Sequence, residues 1–299
     1  MSEINNSQPV VRVDFTVGFG NNLFQFAYAK LLAEKIGGKI FILPPSADYF
    51  GMESLELILN SEDSYEIVSH YEANNIFNKD YPTIRLSSEE ESAHHLKNPE
   101  TANYEIRGYF EDFTLYEDHL TEIRSWFFKP DKQPSNEAVL HLRLGDRLFI
   151  PTTYDSKAFL NFDKYSKALD NLNFDTLHIV SDLPEWKNYS GDELLQLEYH
   201  THLNQGADQI KDKAADYVND LVSQFSERYN IKFHHKGLVI DFEFIRNFDK
   251  IIFGYSTFAW WAAVLSEASQ IGVFEPWRPW KDNNKNLGKT NYPGWFGWK

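Results

Sequence analysis

Residues 138–147 read Ala138-Val139-Leu140-His141-Leu142-Arg143-Leu144-Gly145-Asp146-Arg147. The apolar run at the front has the character of a buried strand. Its carboxyl tip then presents His141, Arg143, Asp146 and Arg147, with Gly145 permitting a tight turn. In open α/β sheets, ligands bind in the crevice beyond the carboxyl ends of the strands. A guanidinium held there suits a phosphate, because its planar fork makes charge-assisted, often bidentate bonds to phosphate oxygens. The stretch predicts an anion site of the kind that a nucleotide pyrophosphate fills. The competing reading is a surface strand end on which Arg143 and Asp146 pair with each other or with neighbours.

The same logic applies upstream. Residues 10–15 read as a strand, followed by Thr16-Val17-Gly18-Phe19-Gly20-Asn21-Asn22 and a helix from about Leu23. Phe24, Ala27, Tyr28, Leu31 and Leu32 form its apolar face, Gly37-Gly38 ends it, and residues 39–43 read as the next strand. Exposed N–H groups at Gly18, Gly20 and Asn21, with a helix N-terminus behind them, favour a phosphate or another oxygen-rich ligand. A plain tight turn fits the same residues, and no third glycine completes a dinucleotide fingerprint. Residues 46–102 show no decisive pattern. A strand over 104–110, a helix over 115–128 and a proline-bearing linker over 129–136 follow.

After the linker, strands are expected at 137–143, 176–181, 231–234, 250–254 and 271–275. Helices are expected between them at 162–172, 213–229, 240–248 and 257–268. Such alternation implies parallel sheets with right-handed crossovers. The expectation is an α/β chain of two doubly wound Rossmann-like domains facing a cleft: 1–132, the acceptor side, and 133–275, the donor side. The tail, 276–299, is expected to pack back on the first domain.

Two further segments follow apolar strands. Ser181-Asp182 precedes Pro184-Glu185-Trp186, which looks like a helix start, so Ser181 reads as its cap and Asp182 stays open. Tyr255-Ser256-Thr257-Phe258-Ala259-Trp260-Trp261 places two hydroxyls at a helix N-terminus, where dipole and N–H groups favour an anion. Ser256 serves equally as a simple cap, and Trp261 reads as core.

Composition narrows the classes. The 299 residues are 42% hydrophobic and 16% aromatic, enough for real cores. A formal charge of −15 argues against nucleic acid or an anionic membrane as partner. With no cysteine there is no disulfide, thiolate nucleophile or Cys-ligated zinc. That fits a cytoplasmic location, as does the lack of any transmembrane run or apolar leader. No metal site is expected: His94-His95 and His234-His235 are adjacent pairs with diverging side chains, and His200 and His202 lack a third ligand.

Taken in order, these segments resemble glycosyltransferase family 11, the α-1,2-fucosyltransferases. VGFGNNLFQFA, Val17 to Ala27, is similar to the family's Gly-Gly-Leu-Gly-Asn-Gln-Met-Phe-Gln-Tyr-Ala. Gly108-Tyr109-Phe110-Glu111 resembles its Gly-Tyr-Phe-Gln, and His141 to Arg147 resembles its His-x-Arg-Arg-Gly-Asp-Tyr. Ser181 to Trp186 and Tyr255 to Trp261 resemble its Ser-Asp-Asp-x-x-Trp and Asn-Ser-Ser-Phe-Ser-Trp-Trp.

The resemblance implies a GT-B fold and inverting transfer of fucose from GDP-β-L-fucose to a glycan hydroxyl, without metal or other cofactor. The enzyme would be galactoside 2-α-L-fucosyltransferase-like. Arg143 would bind the pyrophosphate, Ser256 and Thr257 would lie near the phosphates, and His141 beside the nucleotide. Gly18, Gly20, Asn21 and Asp182 complete the expected donor site. Asp146, Glu111 and Asp14 are candidates for the base. Leu144 stands where the family has a second arginine, with Arg147 a displaced substitute, Val17 replaces a glycine, and Tyr255 replaces an asparagine. These departures keep two alternatives open: a transferase using another nucleotide sugar, or a non-catalytic glycan- or nucleotide-binding module.

Overall fold

Val10, Val11 and Val13 are fully buried, whereas Arg12 between them carries a charge into the same strand. This strand, β1 (Val10–Asp14), is central to a parallel sheet in the first of two compact units, which divide between Lys129 and Pro130. The computed structural model describes residues 8–16, 18–44, 51–60, 65–73, 75–87, 89–132, 136–149, 160–197, 207–274 and 295–298.

The first unit continues with α1 (Phe19–Ile36), β2 (Lys39–Leu43), α2 (Gly51–Ile58), β3 (Glu66–Ile67) and β4 (Thr83–Leu86). Then come α3 (Glu89–Lys97), β5 (Asn103–Ile106) and α4 (Leu120–Ser125). Strand order is β3-β2-β1-β5-β4, all parallel. Helix α1 starts four residues before the expected Leu23. Gly18, at φ 95°, is its N-cap, and the N–H groups of Asn21 and Asn22 both donate to Gly18 O at 3.0 and 3.1 Å. Glycine loop and first helical turn are therefore one object. Gly37, in the left-handed region at φ 62°, ends the helix as expected.

Two expectations in this unit need correction. β5 stops at Ile106 instead of 110, because the chain turns at Phe110, whose φ is +53°. The helix expected over 115–128 is two single 3-10 turns, Phe113–Leu115 and Glu117–His119, followed by α4. The Tyr116 hydroxyl is anchored on Phe110 O at 2.8 Å and Phe24 O at 3.2 Å, which pins the chain between the two turns.

The second unit holds β6 (Glu137–Leu142), α5 (Phe162–Leu169), β7 (Thr176–Ser181), α6 (Gly191–Leu195) and α7 (Ala207–Arg228). It continues with β8 (Ile231–His234), α8 (Leu238–Arg246), β9 (Lys250–Phe253), α9 (Thr257–Val264), β10 (Gln270–Phe274) and β11 (Trp295–Trp298). The parallel order β11-β10-β9-β6-β7-β8 runs outward in both directions from the β6/β9 pair, the order of a doubly wound dinucleotide-binding sheet. Ala138, Leu140 and Leu142 pack with Leu177, Ile179, Val218 and Phe225 on one face. His141 lies on the other.

Of the tail, residues 295–298 are described. They form β11, a strand of the second sheet paired in parallel with β10, and the rest of the tail lies outside the described residues. No helix begins at Pro184. The Tyr189 hydroxyl bonds Glu185 N and O at 3.1 and 2.9 Å, holding an irregular turn in its place. α6 starts later, with Ser190 and Glu193 forming a reciprocal capping box. Among the described residues no helix is long and apolar enough to cross a membrane.

Candidate functional site

Strand register brings the expected residues together at the β6/β9 reversal. Leu142 pairs with Ser181 and His141 with Phe253. Just beyond these pairs, Arg143 follows the end of β6 and Asp182 the end of β7, while Gly254 and Tyr255 follow the end of β9 on the other side, on strands spaced about 4.8 Å apart. Ser256 and Thr257 follow at the N-terminus of α9. The carboxyl edge of the sheet thus gathers Arg143, Asp182, Ser256 and Thr257 at its switch point, where doubly wound folds bind ligands.

Asp182 braces this edge. Its Oδ1 accepts the Leu144 N–H at 2.9 Å, and its Oδ2 lies 3.6 Å from Arg143 Nε. The carboxylate packs directly on Gly145, where an added Cβ would collide with Oδ2. Gly145→Ala should therefore push Asp182 away and destabilise the second unit by about 1–3 kcal/mol, the usual range for overpacking. A urea titration of wild type and variant checks this, and equal midpoints would refute the close approach. Leu144 is 2% exposed and belongs to the second unit's core, so the side chain in the family's second-arginine position points inward. Arg147 is half-buried in the 3-10 turn Gly145–Phe149, and the side chain of Asp146 lies outside the described residues, as does Val17.

His141 is buried beside Phe258, ring centroids 5.5 Å apart. Burial first, then the neighbouring Arg143 charge, push its imidazole down to about 3, so the ring is neutral at physiological pH. It can hydrogen-bond a base or ribose without adding charge. Ser256 is the N-cap of α9, its Oγ accepting from Ala259 N at 3.2 Å, so the capping role open in the sequence is realised. No acidic residue occupies the first turn of α9. The helix dipole there is left to favour an anion. Trp261 is core, as read from the sequence, and so is Trp260. His234 and His235, expected to diverge, both approach Asp241, with Nδ1 to carboxylate distances of 2.8 and 3.9 Å. The Asp241 side chain also caps Lys236 N and Gly237 N, which draws the turn onto it. His200 and His202 lie outside the described residues. Among the described residues no group of three or more His, Cys, Asp or Glu is arranged to hold a metal ion.

In the first unit, Gln25 ties the corresponding edge together. Its Nε2 donates to Asp14 O at 3.1 Å and Gly108 O at 2.8 Å, and its Oε1 accepts Thr16 N at 3.1 Å. The ends of β1 and β5 are thereby clamped to α1. Gln25 is fully buried, and these bonds satisfy its amide. Beyond Gly108, Phe110 occupies the left-handed region, which costs a bulky residue of order 1–3 kcal/mol. Its ring stacks on Tyr28 at 4.6 Å and 8°, and its carbonyl holds the Tyr116 hydroxyl. Glu111 follows, 5% exposed. Asp14 receives Arg12 Nε at 3.0 Å and Arg107 Nε at 3.1 Å, engagements that a proton acceptor would have to give up.

The architecture can be set beside solved structures. NodZ, an alpha-1,6-fucosyltransferase co-crystallized with GDP, superposes at a TM-score of 0.50 with 12% identity, over 89% of this chain and 94% of that one. The fold is of the GT-B type. NodZ from Bradyrhizobium matches at 0.45 with 11% identity, covering 89% of this chain and 96% of that one. Arabidopsis thaliana FUT1 in complex with GDP matches at 0.49 with 9% identity, covering 93% and 73%. No protein-family model and no curated protein matches the sequence.

Proposed function

We propose that the chain is an inverting glycosyltransferase that moves fucose from GDP-β-L-fucose to a glycan hydroxyl. The observation that supports this reading most is that Arg143 follows β6 and Ser256 and Thr257 follow the neighbouring β9, at the reversal of strand order. The second unit takes the donor, with the pyrophosphate on Arg143 and the N-terminus of α9, and neutral His141 against the nucleoside. The first unit takes the acceptor. The fold shared with NodZ, whose crystals hold GDP, supports the nucleotide class.

In the reaction, the acceptor oxygen attacks C1 of fucose on the face opposite GDP. The C1–O bond to the β-phosphate breaks, and its electron pair leaves with GDP. The acceptor proton passes to a carboxylate, for which Glu111 and Asp146 are the proposed bases. Charge developing on the diphosphate is stabilised by the Arg143 guanidinium and the hydroxyl and N–H donors of Ser256 and Thr257, so no metal is required in this scheme. The linkage proposed from the motif resemblance is α-1,2, as in a galactoside 2-α-L-fucosyltransferase, whereas NodZ is an alpha-1,6-fucosyltransferase.

The test is GDP release from GDP-β-L-fucose with galactoside acceptors in the presence of EDTA, with the product linkage read by NMR. Turnover under EDTA with an α-linked fucose on the 2-hydroxyl is expected. Turnover with a UDP-sugar and none with GDP-fucose would move the reading to another donor, and absence of turnover with every sugar nucleotide would leave a binding module.

A further inference from the structure

Asn22 is buried at 2% exposure, and neither its Oδ1 nor its Nδ2 has a hydrogen-bond partner among the described residues. Buried amides are normally satisfied, so one with both ends open needs an explanation. Its position supplies one. Residues three apart share a helix face, so Asn22 lies one turn N-terminal to Gln25 on the same side of α1. Gln25 already spans Asp14 O and Gly108 O at the carboxyl ends of β1 and β5. Because α1 runs back antiparallel to β1, one turn toward its N-terminus places the Asn22 amide just beyond that edge.

The same edge carries Tyr109. Its ring is 43% exposed, and it stands between Gly108, clamped by Gln25, and Phe110, held in the left-handed region by the Tyr28 stack and the Tyr116 hydroxyl. Locally strained backbone that fixes an exposed aromatic is a feature of ligand clamps. The segment 108–110 thus holds one ring outward on the strand-end edge where the buried Asn22 amide lacks a partner.

We propose that this edge of the first unit, between β1 and β5, binds a neutral pyranose, with Asn22 bonding vicinal hydroxyls and the Tyr109 ring covering the apolar face of the sugar. The chemistry separates this from a phosphate site. An amide offers one acceptor oxygen and two donor hydrogens, which match hydroxyls that both donate and accept. A phosphate accepts only, and would leave Asn22 Oδ1 facing negative charge. The N–H groups of Asn21 and Asn22, which a phosphate cradle would use, are spent on Gly18 O. Arg107, the cation on this edge, is paired with Asp14 and Glu105. Naming the sugar as the acceptor rests on the transferase reading above; the sugar site itself does not.

Saturation-transfer NMR on the full chain, with methyl β-D-galactopyranoside, methyl β-D-glucopyranoside and methyl α-D-mannopyranoside as probes, tests the proposal. Ring-proton signal from at least one glycoside is expected with wild type. Asn22→Leu and Tyr109→Ala should weaken binding about tenfold, the equivalent of one or two lost contacts. Tyr109→Phe, which keeps the ring, should retain it. Asn22→Leu should unfold at the same temperature as wild type or higher, because it removes an unsatisfied buried amide. A marked fall in melting temperature would show the amide to be structural and overturn the proposal. So would signal unchanged in both variants, no signal from any glycoside, or inorganic pyrophosphate displacing the sugar from wild type. GDP affinity, measured on the same samples, should be unchanged in all three variants. A chain that holds the glycoside but no GDP overturns the transferase reading alone, and one that holds GDP but no glycoside overturns this site alone.

Discussion

Glu105→Gln should destabilise the first unit by about 3 kcal/mol, the lower end of what removing one partner from a buried ion pair costs. Glu105 is 3% exposed in the middle of β5 and pairs in register with Arg12 on β1 and Arg85 on β4. Its Oε1 takes the Nη2 groups of Arg12 and Arg107, and its Oε2 takes Arg85 Nε at 2.7 Å. Arg85 and Arg107 are largely exposed and can turn to water when the charge goes, at little cost. Arg12 cannot, because it is buried under Phe77 with Nη1 on Ala73 O at 3.0 Å. It keeps one carboxylate, Asp14, which sets the effect at the lower end. Hydrogen exchange of β1 and β5 amides reads this locally. Protection equal to wild type at pH 7 would show that Arg12 needs no second partner.

The pH dependence has a definite sign. Burial pushes the Glu105 carboxyl up, but Arg12, Arg85 and Arg107 together outweigh it and hold it below the usual carboxylate range. A depressed folded value means the stabilisation is complete above the unfolded value, near pH 4.3. It fades as pH falls through the folded value. The gap between wild type and Glu105→Gln should therefore be widest at neutral pH and close in acid. Arg85→Ala is the control, expected to change stability by about 0–1 kcal/mol, since its guanidinium is exposed.

The network also marks what a linear pattern can and cannot reveal. Strands such as β1 and β6 were legible because their residues are buried on two faces and read as apolar runs, as in Val10–Val13 and Ala138–Leu142, whereas β3 and β4, short and partly exposed within 46–102, were not. The cross-strand partners of Arg12 were not, since pairing joins residues 93 apart in the chain. Helix α1 was legible as a helix but not at its start, because Gly18 caps through backbone geometry instead of a side chain. The strand Trp295–Trp298 was missed for lack of alternation, and Phe110 because no propensity rule places a phenylalanine at positive φ. In the candidate site, Arg143, Asp182 and Ser256 were legible as strand-end and helix-start residues. The braces that hold the edges, Gln25 on Gly108 and Asp182 on Gly145, emerge only from the tertiary contacts.

Arg143→Ala should lower kcat for sugar transfer by about 10²–10³, the effect of deleting one preorganised donor to developing charge. Its stability should hardly move. The Arg143 side chain is 39% exposed, and its approach to Asp182 at 3.6 Å is a half-exposed pair worth about 0–1 kcal/mol. This combination separates a residue that touches substrate from one that holds the fold. Arg143→Lys sharpens the argument, because lysine restores a point charge but not the planar fork. If the pyrophosphate is gripped by two parallel bonds, lysine should recover a minor share of the rate; if charge alone matters, it should recover most of it. Losses in kcat that exceed the rise in KM for GDP-fucose would place the interaction in the transition state, where the leaving diphosphate gains charge. Equal activity of Arg143→Ala and wild type would remove the guanidinium from the reaction. Arg147, in the turn that follows β6, and the N-terminus of α9 would then be the next groups to test as the anion site.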